Sequence, residues 1–206
     1  VTKSLLLGFN EFLDWGLNPA RITVETLQSD STFVAEVGLI AEVLPTEFDA
    51  AGRRVVQLIT EHRPDVVIVV GMAAGRPGVS LERVALNLND TNKPDNAGKA
   101  PRGSQIIADG PLAYWSTLPL LHLAEKLASQ GIPAQITNFA GTFVCNHTFY
   151  LARHTIESLD LATPCGLVHI PLMTEQLDET QAKHPSLPAA QLAQAIALCL
   201  RASHGV

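Results

Sequence analysis

The chain has 206 residues, 47% of them hydrophobic, and a net charge of −6 from 14 Lys+Arg against 20 Asp+Glu. That is ample apolar material for one large domain spanning 1–206. No basic run marks a nucleic-acid surface, and no apolar stretch approaches the ~20 residues of a membrane span. The three cysteines, Cys145, Cys165 and Cys199, are odd in number and widely spaced, which is not a disulfide framework. The opening VTKSLLLGFNEF lacks a long apolar region and a small-residue cleavage site, so a cytoplasmic protein with reduced thiols is expected.

Ser4–Leu7 is a short apolar run closed by Gly8 and predicts a buried strand. Asn18 and Pro19 predict a helix start running to about Leu27, with Asn as cap and Pro in the first turn. Phe33–Leu44 alternates and stops at Pro45, predicting one strand or a hairpin pair. Glu47–His62 carries Phe48, Ala51, Val55, Leu58 and Ile59 at helical spacing. Asp65–Val70 is a β-branched run ended by Gly71 and suits a central strand buried on both faces. Ile132–Thr137 and Gly166–Ile170 predict two more buried strands. Pro119–Ser129, Val144–Leu159 and Pro188–Arg201 predict helices. The alternation argues an α/β fold in three layers, a mostly parallel twisted sheet with helices on both faces. Ala73–Ser116 breaks the rhythm. It is rich in Gly, Pro, Asn and Asp, with VALNLND alternating like a hairpin strand, and such long irregular stretches are usually functional.

Ligands in open α/β sheets sit outside the carboxyl ends of the strands. The candidate ends carry Gly8-Phe9, Gly71 leading to Glu82, Gly141–Cys145 at a helix start, and His169. With Gly141 and Thr142 as entry and cap, Cys145 meets the unpaired N–H groups and positive end of a helix. These favour thiolate and could hold an oxyanion. Of seven histidines, His169 lies in GLVHIPL, a strand otherwise too apolar to want it, and Glu82 is the candidate carboxylate to orient it. A structural thiol beside a satisfied core histidine remains the alternative. Cys145-x-His147 and Cys165-x3-His169 offer soft metal ligands, without CxxC or a familiar zinc spacing. Cys165 and Cys199 read as structural. GMAAGRPG fits neither glycine-rich phosphate pattern and reads as a turn-rich loop that aims Glu82.

Several separated segments in order carry a more specific signal: LLLGFNEF, AGRPGVSLERVALN, PDN at 94–96, YWSTLP, GIPAQITNFAGTFVCNH and GLVHIPLMTEQ. Through them the chain resembles, almost end to end, the pyroglutamyl peptidase I (pyrrolidone-carboxylate peptidase) family of cysteine peptidases. The resemblance implies hydrolysis of amino-terminal pyroglutamyl residues from peptides through a thioester. It implies Cys145 as nucleophile, His169 as base and Glu82 as acid, with no metal or cofactor, and commonly a homotetramer. Phe9 and Phe12 fall on the aromatic pair that lines the family's lactam pocket. Phe143 and Val144 are expected as further walls, with Asn18 and Met72 completing the substrate contacts.

The chain also departs from the family. Glu11 stands for a proline, Leu13-Asp14 for two glycines, Asn92 for an arginine two residues before PDN, and Met72 for a frequent glutamine. These differences motivate the competing readings, a catalytically weak pyroglutamyl-peptide-binding homologue or an amidase for a related lactam.

Overall fold

The structure, a computed structural model, describes residues 2–12 and 15–204. Its centre is a set of strands too apolar to face water on either side. β1 (Ser4–Phe9) and β7 (Cys165–Ile170) are buried along their whole length, and β3 (Val66–Met72) up to its last residue. β1 pairs in parallel with β3 and with β2 (Leu39–Leu44), and β3 pairs in parallel with β7. β4 (Val79–Leu86) runs antiparallel to β7. It pairs in parallel with β6 (Ala134–Phe139) and antiparallel with the short β5 (Ala113–Trp115).

Successive side chains of a strand point to opposite faces, so these runs feed two cores. Leu6, Ile68 and Val168 pack with α1 (Pro19–Ser29), α2 (Ser31–Val37), α4 (Leu120–Ser129) and α6 (Ala189–Ala202). Leu7, Val69 and Leu167 pack on the other face with α3 (Phe48–His62) and α5 (Val144–Ser158). The mostly parallel, three-layer arrangement expected from the alternation is therefore the one observed.

Four local expectations need correction. Phe33–Leu44 is not continuous strand, because its first part is α2. The Asp30 carboxylate accepts from the N–H groups of Thr32 and Phe33, and Gly38, at φ 57°, closes the helix in the left-handed region. Gly8 and Gly71 lie inside β1 and β3 rather than after them. A Cβ at Gly8 would sit 2.8 Å from the Ala20 carbonyl oxygen, so the glycine admits the start of α1. β6 is only partly buried, since among the described residues it pairs with β4 alone. The irregular stretch 73–116 contains β4, a largely buried strand whose apolar pattern is interrupted by Glu82 and Arg83.

Candidate active site

The register of β3, β4 and β7 brings the site together. Gly71 pairs with His169 across β3–β7, and Ser80 pairs with His169 across β4–β7. Glu82 lies two residues beyond Ser80, so it shares the His169 face and is its diagonal neighbour. His169 Nδ1 is 2.7 Å from Glu82 Oε1. Because a carboxylate only accepts, Nδ1 carries the hydrogen and Nε2 is left free on the far side of the ring. Glu82 is fully buried and every partner it has is a donor: Thr137 Oγ1 donates to Oε2 at 2.5 Å, and Arg76 Nη1 donates to Oε1 at 2.6 Å.

Cys145 arrives from α5, on the same face of the sheet. A Cβ built on Gly71 would lie 2.9 Å from Cys145 Sγ and 2.9 Å from His169 Nε2, so the two atoms are at most twice that apart. The thiol and imidazole thus close over Gly71, which has no side chain to separate them. Cys145 does not follow a strand end of the shared edge, as the sequence suggested. β6 runs against β7, and residues 140–143 carry the chain back over the sheet to α5. The cap also differs from expectation. Phe143 is the N-cap, without a side-chain cap bond, and Thr142 Oγ1 donates instead to the Asp90 carbonyl. The first intrahelical bond runs from His147 N to Phe143 O, leaving the N–H groups of Val144, Cys145 and Asn146 outside the helix ladder.

The electrostatics correct a second expectation. Burial pushes the Cys145 thiol up to about 12, and the Glu82 carboxylate adds to the rise; its own backbone N–H opposes them and loses. Burial thus outweighs the helix start and disfavours the thiolate. For Glu82, burial alone would raise the pKa. The hydrogen bond and charge of His169, then Thr137 and Arg76, outweigh burial and hold the carboxyl below its ordinary range.

Cys145 and His169 open into a cavity of about 430 Å³ lined also by Phe9, Phe12, Phe143, Met72 and Asn18. Its aromatic end is built by packing, with Phe143 4.7 Å from Phe12 and 5.3 Å from Phe48, centroid to centroid. Asn18 serves the scaffold as well. Its Oδ1 accepts from Ala20 N, and its Nδ2 donates to the Asn10 carbonyl. Val144 does not line the cavity; as the first residue of α5 it is turned fully into the core beneath. Leu13 and Asp14 lie outside the described residues. Glu11 is bound to Arg21, Nε to Oε1 at 2.7 Å, and is not among the cavity-lining residues. Asn92 accepts a hydrogen bond from Arg102, while its neighbour Lys93 lines the cavity, so a cation remains on that loop.

The sequence reading missed Arg76, Thr137, Asn146 and Trp15. Arg76 was visible only as part of a loop aimed at Glu82. Thr137 gave no signal, because its role depends on the Glu82–Thr137 register of β4 and β6. Asn146 sits buried beside the nucleophile and imitates a strand, accepting from Leu86 N and donating to the carbonyls of Leu86 and Leu88. Trp15 lines the cavity and meets His184 edge-on at 5.2 Å. Cys165 and Cys199 are fully buried in the two cores, remote from this chemistry.

Comparison with known proteins agrees along the whole length. The family profile described as pyroglutamyl peptidase matches residues 2–204. A pyrrolidone-carboxylate peptidase of Oceanobacillus iheyensis is 41% identical over 97% of this chain and 98% of its own. The crystal structure of pyroglutamyl peptidase I from Bacillus amyloliquefaciens superposes with a TM-score of 0.92 at 35% identity, covering 100% of this chain and 96% of the other. Pyrrolidone carboxyl peptidase from Pyrococcus furiosus gives 0.92 at 32% identity, covering 98% of each. The chain belongs to the pyroglutamyl peptidase family.

Proposed function

We propose that the chain is a cysteine exopeptidase that removes amino-terminal pyroglutamyl residues from peptides, with Cys145 as nucleophile, His169 as general base and acid, and Glu82 as the carboxylate that orients the imidazole. The observation that supports this most is the closure of Cys145 Sγ and His169 Nε2 over Gly71, with Glu82 behind the ring. Burial works against a free thiolate at Cys145, so attack and proton transfer go together. Sγ bonds to the pyroglutamyl carbonyl carbon as its proton passes to Nε2. Glu82 stabilises the imidazolium through Nδ1–H. The free N–H groups at the start of α5 receive the oxyanion. Collapse breaks the C–N bond, and the leaving amine takes the proton from Nε2. Water then gives a proton to Nε2 as it attacks the thioester, which releases pyroglutamate and restores the thiol.

Pyroglutamate is a neutral lactam, which suits a cavity walled by Phe9, Phe12, Phe143 and Met72. Three free thiols favour a cytoplasmic setting. Among the described residues no helix is long and apolar enough to cross a membrane. The exposed Leu112, Trp115 and Leu121 favour assembly of copies, in keeping with the tetramer the resemblance implies.

The test is fluorophore release from a pyroglutamyl amide by freshly reduced protein, with and without a thiol alkylator, beside prolyl and glutaminyl amides. Alkylator-sensitive release confined to the pyroglutamyl amide is expected. Absence of turnover would favour the binding homologue, and equal turnover of the prolyl amide would favour an amidase of wider scope.

A further inference from the structure

One oxygen of Glu82 serves two donors. Oε1 accepts from His169 Nδ1 at 2.7 Å and from Arg76 Nη1 at 2.6 Å. Arg76 Nη1 also reaches Thr137 Oγ1 at 3.4 Å, and Thr137 holds the other carboxylate oxygen. The pair is shielded, since Glu82 is fully buried and the Arg76 side chain is 29% exposed. A triad needs only one of these partners. A buried carboxylate bound to an imidazole alone would draw a proton onto the ring and keep it there. A base already protonated cannot accept the proton of the Cys145 thiol.

We propose that Arg76 is a positioning residue that shares the charge of Glu82, so that the carboxylate fixes the His169 ring without holding a proton on it before Cys145 reacts. The guanidinium is permanently charged, so it offsets the carboxylate at every working pH. It also opposes an imidazolium on the same oxygen. The imidazolium then forms when the thiol proton arrives, and it yields that proton readily to the leaving amine. The charged and titratable groups facing His169 are Glu82 from β4, Arg76 from the link between β3 and β4, and Cys145 from α5; Lys93, from the loop after β4, lines the same cavity. Of these, Arg76 alone binds the atom that binds the ring.

The inference rests on the proposed triad, and its test separates the two. Arg76→Met removes the charge, Arg76→Gln removes it but keeps an N–H donor, and Arg76→Lys keeps both. The His169 ring is titrated by NMR in each protein, its signal assigned by its loss in His169→Ala, and the acid limb of kcat/KM for a pyroglutamyl amide is measured alongside. In Arg76→Met and Arg76→Gln the ring titration and the acid limb should both move to higher pH by roughly one unit, the low end of the effect of a neighbouring charge. Arg76→Lys should bring both back towards the wild-type position. Three results would overturn the proposal: no movement of the ring titration in both neutral variants, movement to lower pH, or a loss of kcat/KM equal at every pH with the ring unmoved. The ring titration needs no turnover, so an inactive wild type would count against the triad and leave this measurement standing.

Discussion

His169 and Glu82 meet at 2.7 Å across two antiparallel strands, with the carboxylate fully buried and the imidazole almost so. Glu82→Gln keeps an acceptor for Nδ1–H but cannot stabilise the imidazolium by charge. Arg76 then loses its anion, which its partial exposure allows water to replace. The variant should keep its circular dichroism spectrum and lose less kcat/KM than His169→Ala, for which a fall of about 10²–10⁴-fold is expected. Unfolding of Glu82→Gln would make the acid structural.

Phe12 stands against Phe143 at the aromatic end of the cavity. Truncating it removes apolar contact with the lactam, at about 1–3 kcal/mol of transition-state binding. Phe12→Ala should therefore lower kcat/KM on pyroglutamyl amides by roughly 10–200-fold. Its rate of reaction with a small thiol alkylator should stay near wild type, since the variant leaves Cys145 and His169 in place. A parallel fall in alkylation would mean that the ring supports the nucleophile rather than the substrate.

Glu11, where the resembled motif has proline, is held by Arg21. It does not line the cavity, so it presents no carboxylate there to an amino-terminal ammonium, and a free glutaminyl amide would lose hydration without gaining a partner. Glu11→Ala should leave the preference for pyroglutamyl over glutaminyl amides unchanged. A change of preference in this variant would place Glu11 in substrate selection after all.

His147 predicts the pH dependence of stability. It is buried between α3 and the loop after β4, its Nδ1 3.1 Å from Asn89 Oδ1 and its ring edge-on to Phe48. Burial pushes it down to about 4, with Asp49 opposing and Lys99 adding to the fall. The unfolded chain thus binds a proton below about 6.5 that the folded chain refuses until about 4. Stability should fall as pH drops through that window, by on the order of 3 kcal/mol for this group. Urea unfolding of wild type and His147→Gln at pH 7 and pH 5 checks it. Equal acid losses in the two proteins would assign the effect elsewhere.

Much of this could be read from the residues because apolar periodicity and turn chemistry agree over most elements. Asn18-Pro19 marked α1, and the spacing of Phe48, Ala51, Val55 and Leu58 marked α3. What escaped was mostly non-local. The end of β4 was legible in VALNLND, but its start was hidden by Glu82 and Arg83, charges that a strand tolerates only because Arg76, Thr137 and Asn138 arrive from elsewhere to bind them. α2 was hidden because Phe33–Val37 also alternates, and the Asp30 cap decides the matter. His169 was legible as a polar residue in an apolar strand and Cys145 by its place at a helix start, with Glu82 as the candidate carboxylate; it was the resemblance of the separated segments to the peptidase family that joined the three as a triad. The upward push on the Cys145 thiol was not legible, because the helix start is local in sequence while the burial that outweighs it comes from the whole fold.

The central claim is that Cys145 carries the acyl group, and trapping that group tests it most directly. Wild type, Cys145→Ala and Cys199→Ser would be mixed with a pyroglutamyl amide, acid-quenched within a turnover and digested for mass spectrometry. Cys199 is fully buried in α6, so its serine variant leaves a hydroxyl in the core and should lose about 1–3 kcal/mol of stability. It should still turn over when folded. A pyroglutamyl adduct is expected on the Cys145 peptide of wild type and Cys199→Ser, with neither adduct nor turnover in Cys145→Ala. An adduct on another residue, or turnover by Cys145→Ala comparable to wild type, would contradict the account.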